Sequence, residues 1–248
     1  MTIGEIDEEE VQRGISKWIS KSELSSFLDF KKLINYELSS FDAWHNEIDS
    51  LEQRLKKDQE ELQKKTNLTH EEEEILNLDI TDLITEDDED HITFEQEVLQ
   101  MLLIKIYTKF EITLKNFYFQ KTGEKLSNEK YRDWKKNFKE NLSIEFSTVD
   151  GYLEIEKLRI FNNNYKHSGE YLSKRTSEEL FDKHLLDVIK DYIQTDTYNN
   201  LLTERNKDTF VEHLTVIMVK LQLNKDLLIH LYQKAYDFLN YIYTQLFE

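Results

Sequence analysis

Gly151 to Ser173, GYLEIEKLRIFNNNYKHSGEYLS, is the stretch on which the reading of this chain turns. Tyr152, Ile155, Leu158, Phe161 and Tyr165 recur at spacings of three and four, which predicts one helix with a core-facing side. About a quarter turn away run Glu156, Arg159, Asn163, Lys166 and His167, placing a guanidinium, an amide, an ammonium and an imidazole along one line. The same residues also have a plainer reading. Lys166 and His167 in a last turn, followed by Gly169 in a left-handed cap, make an ordinary helix ending. Glu156 with Arg159 is then a surface ion pair worth less than about 1 kcal/mol.

The surrounding composition favours helices. The 248 residues include no Pro and only five Gly (Gly4, Gly14, Gly123, Gly151, Gly169), too few turn formers for a sandwich, a barrel or a doubly wound sheet. Hydrophobic content of 39% supports a real core. The absence of Cys excludes disulfides and thiolate metal sites and fits a cytoplasmic location. No apolar run approaches a membrane span, so no membrane association is expected.

Charge is unevenly spread. Residues 1–100 hold 10 Lys and Arg against 28 Asp and Glu, whereas residues 101–248 hold 22 of each. Within the second part, Lys105 to Lys139 carries 10 basic residues against four acidic ones, and Lys157 to Arg175 carries five against Glu170 alone. Anion or RNA binding is therefore open to a protein whose net charge is −18, because contact depends on the local field. Solvation of helix faces would use the same lysines.

Outward from the central helix, residues 1–21 read as acidic and then weakly amphipathic through Val11, Ile15, Trp18 and Ile19. A long helix is expected from about 23 to 65, with Phe27, Ile34, Leu38, Phe41, Trp44, Ile48, Leu51 and Leu55 near a 3.5 spacing. Thr69 with Glu72 and Thr93 with Gln96 read as capping boxes. The first opens a short acidic helix and the second the strongest helix, Phe94 to about Lys121. Between them EDDEDH, Glu86 to His91, reads as a surface loop and domain seam, since consecutive carboxylates without ligand spacing do not make a metal site. Ser147, Thr148 or Asp150 is expected to cap the central helix, and Thr176 with Glu179 the next one. Further helices are expected over 178–193 and 203–223, and a last one opened by Asn224 and buried through Leu228, Leu231, Ala235, Leu239, Ile242 and Leu246. The expected fold is all-α: a helical bundle over 91–248 with a long acidic, coiled-coil-like helical extension over 1–90.

No phosphate loop, nucleophile elbow or HExxH motif is present, and His184 and His213 lack metal-spaced partners. Neither a metal nor a cofactor is expected. In MLLIKIYTKFEITLKNF, with Glu111 among aromatics, and in EIEKLRIFNNNYKHSGE, the chain resembles the HEPN superfamily, helical-bundle proteins of toxin–antitoxin and phage-defence systems. The resemblance covers roughly residues 93–248. It implies a bacterial homodimer with metal-independent endoribonuclease activity at a groove between protomers. His167 would be the acid/base, Arg159 the phosphate binder and Asn163 the orienting residue, with Lys166 and Asn162 at the substrate and Glu111 holding Arg159 or His167. An imidazole titrating near neutrality can move the protons and a guanidinium can stabilise the phosphoryl oxygens.

Seven residues separate Arg159 from His167, more than the family signature places there. Aligning on His167 puts Asn162 where the Arg is expected and Asn163 on its Asn. Either Arg159 reaches the phosphate from one turn earlier, or the site has lost its guanidinium. The alternative function is a catalytically inactive interaction or dimerisation module of the same kind of system, with the acidic N-terminal region contacting a partner protein.

Overall fold

The computed structural model describes residues 8–77, 80–126, 131–169 and 171–248; the side chains at 8, 45, 80–92, 132, 183 and 184 lie outside the described residues. Among the described residues the chain is all-α: α1 Glu8–Leu62, α2 His70–Asn77, α3 Ile80–Thr122, α4 Tyr131–Leu142, α5 Tyr152–Ser168, α6 Lys174–Leu180, α7 Lys183–Leu186, α8 Thr195–Thr203, α9 Lys207–Val216 and α10 Lys225–Phe247. Single 3₁₀ turns at Phe146–Thr148 and Asp187–Tyr192 complete it. The described residues contain no strand, only one antiparallel bridge between Tyr171 and Lys220.

Two compact units emerge, Met1–Lys31 with Leu99–Glu248, and Lys32–Val98. The expected boundary at residue 90 does not coincide with them. α1 and α3 each run unbroken through a unit border, so EDDEDH is helical rather than a loop and Thr93 lies within a helix rather than at its start. The acidic run gave a loop reading on composition alone, yet it carries neither Gly nor Pro to stop a helix. Any metal reading of its side chains lies outside the described residues.

The larger unit is built on aromatic packing. Leu102, Leu103, Ile106, Phe110, Leu114 and Phe117 of α3 are fully buried, as are Leu228, Leu231, Ala235, Phe238, Leu239 and Ile242 of α10. Full burial of each large side chain contributes about 1.5–3 kcal/mol. Phe110 meets Phe238 edge-on at 5.9 Å, and Phe146 meets Phe238 at 5.2 Å. The start of α1 joins this core through Phe27, which stacks on Tyr232 at 5.2 Å while the Tyr232 hydroxyl donates to the Phe27 carbonyl.

In the smaller unit Ile34, Leu38 and Phe41 are buried, with Phe41 edge-on to Phe94 at 6.1 Å. α2 buries no residue. It is held by the expected capping box, in which the Thr69 amide donates to Glu72 (3.0 Å) and the Glu72 amide to the Thr69 hydroxyl (3.3 Å). Gln59 also donates to the Ile75 carbonyl at 3.0 Å.

Candidate functional site

α5 lies against α10, α6 and both 3₁₀ turns. It begins without a side-chain cap: none of Ser147, Thr148 and Asp150 fills that place, which Gly151 takes at φ +81°. A Cβ there would sit 3.3 Å from Lys234 Cδ, so a glycine suits both the left-handed backbone and the approach of α10. Of the predicted core stripe Ile155, Leu158, Phe161 and Tyr165 are buried, while Tyr152 is half-buried.

The polar stripe is not a surface. Glu156 is wholly buried and Arg159 nearly so. Arg159 Nε donates to Glu156 Oε2 at 2.9 Å and Nη1 to Glu179 Oε2 at 2.7 Å, while the guanidinium lies over the Tyr131 ring at 5.3 Å. Lys135 Nζ donates to Glu156 Oε1 and to the Tyr152 hydroxyl, both at 2.9 Å. Charges thus alternate from Lys135 through Glu156 and Arg159 to Glu179, tying α4, α5 and α6 together. Burial alone would raise the Glu156 carboxyl, but Arg159 and Lys135 outweigh it and hold the group below the usual carboxylate range. Burial likewise opposes charge on Arg159, and Glu156 with Glu179 reverses this, raising its pKa. Burial pushes the Tyr107, Tyr131 and Tyr152 hydroxyls well up, and the neighbouring Glu156 adds to each.

The other expected site residues divide. Asn163 and His167 line one cleft of about 310 Å³ together with Ser168, Ser173, Arg175, Thr176 and Glu179. Arg159, Asn162, Lys166 and Glu111 are not among its lining residues. Arg159 is linked to it through Glu179, a lining residue that accepts from Arg159 Nη1. Lys166 and His167 are exposed. Asn162 is buried, donates to Asn163 Oδ1 at 3.2 Å, and leaves its own Oδ1 without a partner among the described residues. Glu111 pairs with Lys115 at 2.7 Å, one turn along its own helix, and among the described residues it makes no bond to Arg159 or His167.

Sequence reasoning missed Asn164, the residue that shapes this cleft. Fully buried, it donates to the carbonyls of Gly169 (2.8 Å) and Tyr171 (2.9 Å) and accepts from the Ser173 amide (2.9 Å) and the Thr176 hydroxyl (3.1 Å). One amide therefore folds the α5–α6 connection back on the helix. Three successive asparagines in a helix were the available signal, since Asn is a poor helix former without a local task. α6 is capped by Ser173, which accepts from the Thr176 amide at 3.0 Å, rather than by Thr176. That leaves Glu179 for Arg159 instead of a capping box.

Among the described residues no group of three or more His, Asp or Glu is placed to hold a metal ion, and no helix is long and apolar enough to cross a membrane. No protein-family model, curated protein or solved structure matches this chain.

Proposed function

We propose that this chain is an HEPN-like helical interaction module of a bacterial toxin–antitoxin or phage-defence system, without catalysis by an Arg159–His167 pair. The observation that carries this reading is the commitment of Arg159. Two of its nitrogens donate to Glu156 and Glu179, so a phosphate reaching that fork would meet two carboxylates. His167 stands two turns away, about 12 Å along the helix axis. The interacting surface on this reading is the unit Lys32–Val98, whose six basic and 21 acidic residues suit the basic nucleic-acid site of a partner protein. Incubating total RNA with wild type and His167→Ala should leave the RNA intact in both. Cleavage that His167→Ala abolishes would overturn the proposal.

One observation favours the endoribonuclease reading, namely that Asn163, His167 and Arg175 share the cleft. In that case Arg175, from α6, supplies the charge expected of Arg159. His167 then moves protons at the attacking 2′-oxygen and the leaving oxygen. Cleavage would persist in EDTA and disappear in both His167→Ala and Arg175→Ala. Arg159→Ala is a poor test of either reading, because it takes a partner from the buried Glu156 carboxylate at a cost of about 3–5 kcal/mol.

A further inference from the structure

The first turns of α1 bury the wrong residues for a helix with a single partner. Toward the body of the larger unit they turn Ser16 and Ser20, then Leu24 and Phe27; Ser20 Oγ is buried without a hydrogen-bond partner among the described residues. Outward, on the opposite face, they turn Val11 (47% exposed), Ile15 (46%) and Trp18 (71%). These three are spaced four and three apart and so form one stripe. Gly14 lies on its edge beside Trp18, one turn earlier, with nothing within 4 Å of where a Cβ would stand. An exposed glycine within a helix is unfavourable relative to alanine, and no contact among the described residues explains it.

We propose that Val11, Gly14, Ile15 and Trp18 are the contact face of an antiparallel α1–α1 pairing with a second copy of this chain. Charge selects the occupant. The stripe is flanked by exposed Glu10 before its centre and by exposed Lys17 and Lys21 after it, all on one side of the helix. Reversing a second copy about Gly14 brings Glu10 of each between Lys17 and Lys21 of the other, so the face is complementary to itself. In a parallel pair this flank would face the other flank of its mate, so Glu10 would not meet Lys17 or Lys21. Gly14 at the crossing lets the backbones approach and Trp18 of each copy reach the apolar side chains of its mate. The face is small, so the pair should dissociate in roughly the micromolar range. This inference is independent of the proposed function, since it uses none of the α5 residues.

Sedimentation equilibrium of the full chain over roughly 1–200 μM tests it. Wild type should pass from one-chain to two-chain mass, and Trp18→Asp should weaken association at least about tenfold. Circular dichroism should be unchanged, because the side chain is exposed. Glu10→Lys and the double variant Lys17→Glu/Lys21→Glu should each be weakened alone, and a 1:1 mixture of the two should restore association as a heterodimer. A one-chain mass at every concentration would overturn the proposal. So would association indifferent to Trp18→Asp, or a mixture that fails to recover. Sedimentation of wild type, but not Trp18→Asp, with phosphatidylglycerol vesicles and no self-association would assign the face to lipid instead.

Discussion

At the scale of single residues, Asn164 and Glu156 carry more than their chemistry suggests. Asn164 satisfies two carbonyls, an amide and a hydroxyl from full burial. Asn164→Leu should destabilise the protein by about 3 kcal/mol, since several partners are left unpaired at once, and urea unfolding will read this. Glu156 has a titration signature. Its carboxyl lies lower in the folded chain than in the unfolded one. Its contribution is therefore complete above the unfolded value of about 4.3 and is lost as pH falls through the folded value. Glu156→Gln should thus be less stable than wild type by about 3 kcal/mol at pH 7, with the gap closing below pH 4. A gap that stays constant with pH would show that the ion pairs contribute little. The run of three asparagines hinted at the first role, but the second was not open to sequence reading. The partners that bury Glu156 and Arg159 lie about twenty positions away, on α4 and α6, and local spacing reports only the faces of one helix.

At the scale of elements, local chemistry was legible wherever a cap is local. Asn224 opens α10 by accepting from the Leu227 amide at 2.7 Å, Thr69 and Glu72 open α2, and, Tyr152 apart, the core stripes of α5 and α10 are as the spacing predicts. Ends that depend on tertiary contacts were not legible. The helix expected over Glu178–Ile193 is divided among α6, α7 and a 3₁₀ turn. The one expected over 203–223 stops at Val216, two residues before Met218 enters the left-handed region at φ +47° and the chain turns toward the bridge at Lys220. A non-glycine side chain there is strained by about 1 kcal/mol or more. Met218→Gly should leave the fold intact and raise stability by up to about 1 kcal/mol, because the methionine is exposed and little packing is lost; a thermal melt checks this.

At the scale of the whole molecule, charge divides along the same lines as packing. The unit Lys32–Val98 holds a net −15 of the chain's −18. Its acidic residues crowd three helices, so self-repulsion opposes folding at low ionic strength. Raising NaCl from about 20 to 500 mM should lift the melting temperature by roughly 2–5 °C. A fall would mean that ion pairs such as Lys65–Glu72 outweigh the repulsion. The three tryptophans report on separate places. Trp134 is buried under the Lys115 ammonium, 4.5 Å from its ring, and its indole N–H has no acceptor among the described residues. Its emission is consequently blue and shielded from iodide. In the single chain Trp18 fluoresces from water, and Trp44 lies on the acidic helix. The chain therefore carries its own optical labels for the α3–α4 core, the outward face of α1 and the smaller unit, and quenching can resolve them without any added dye.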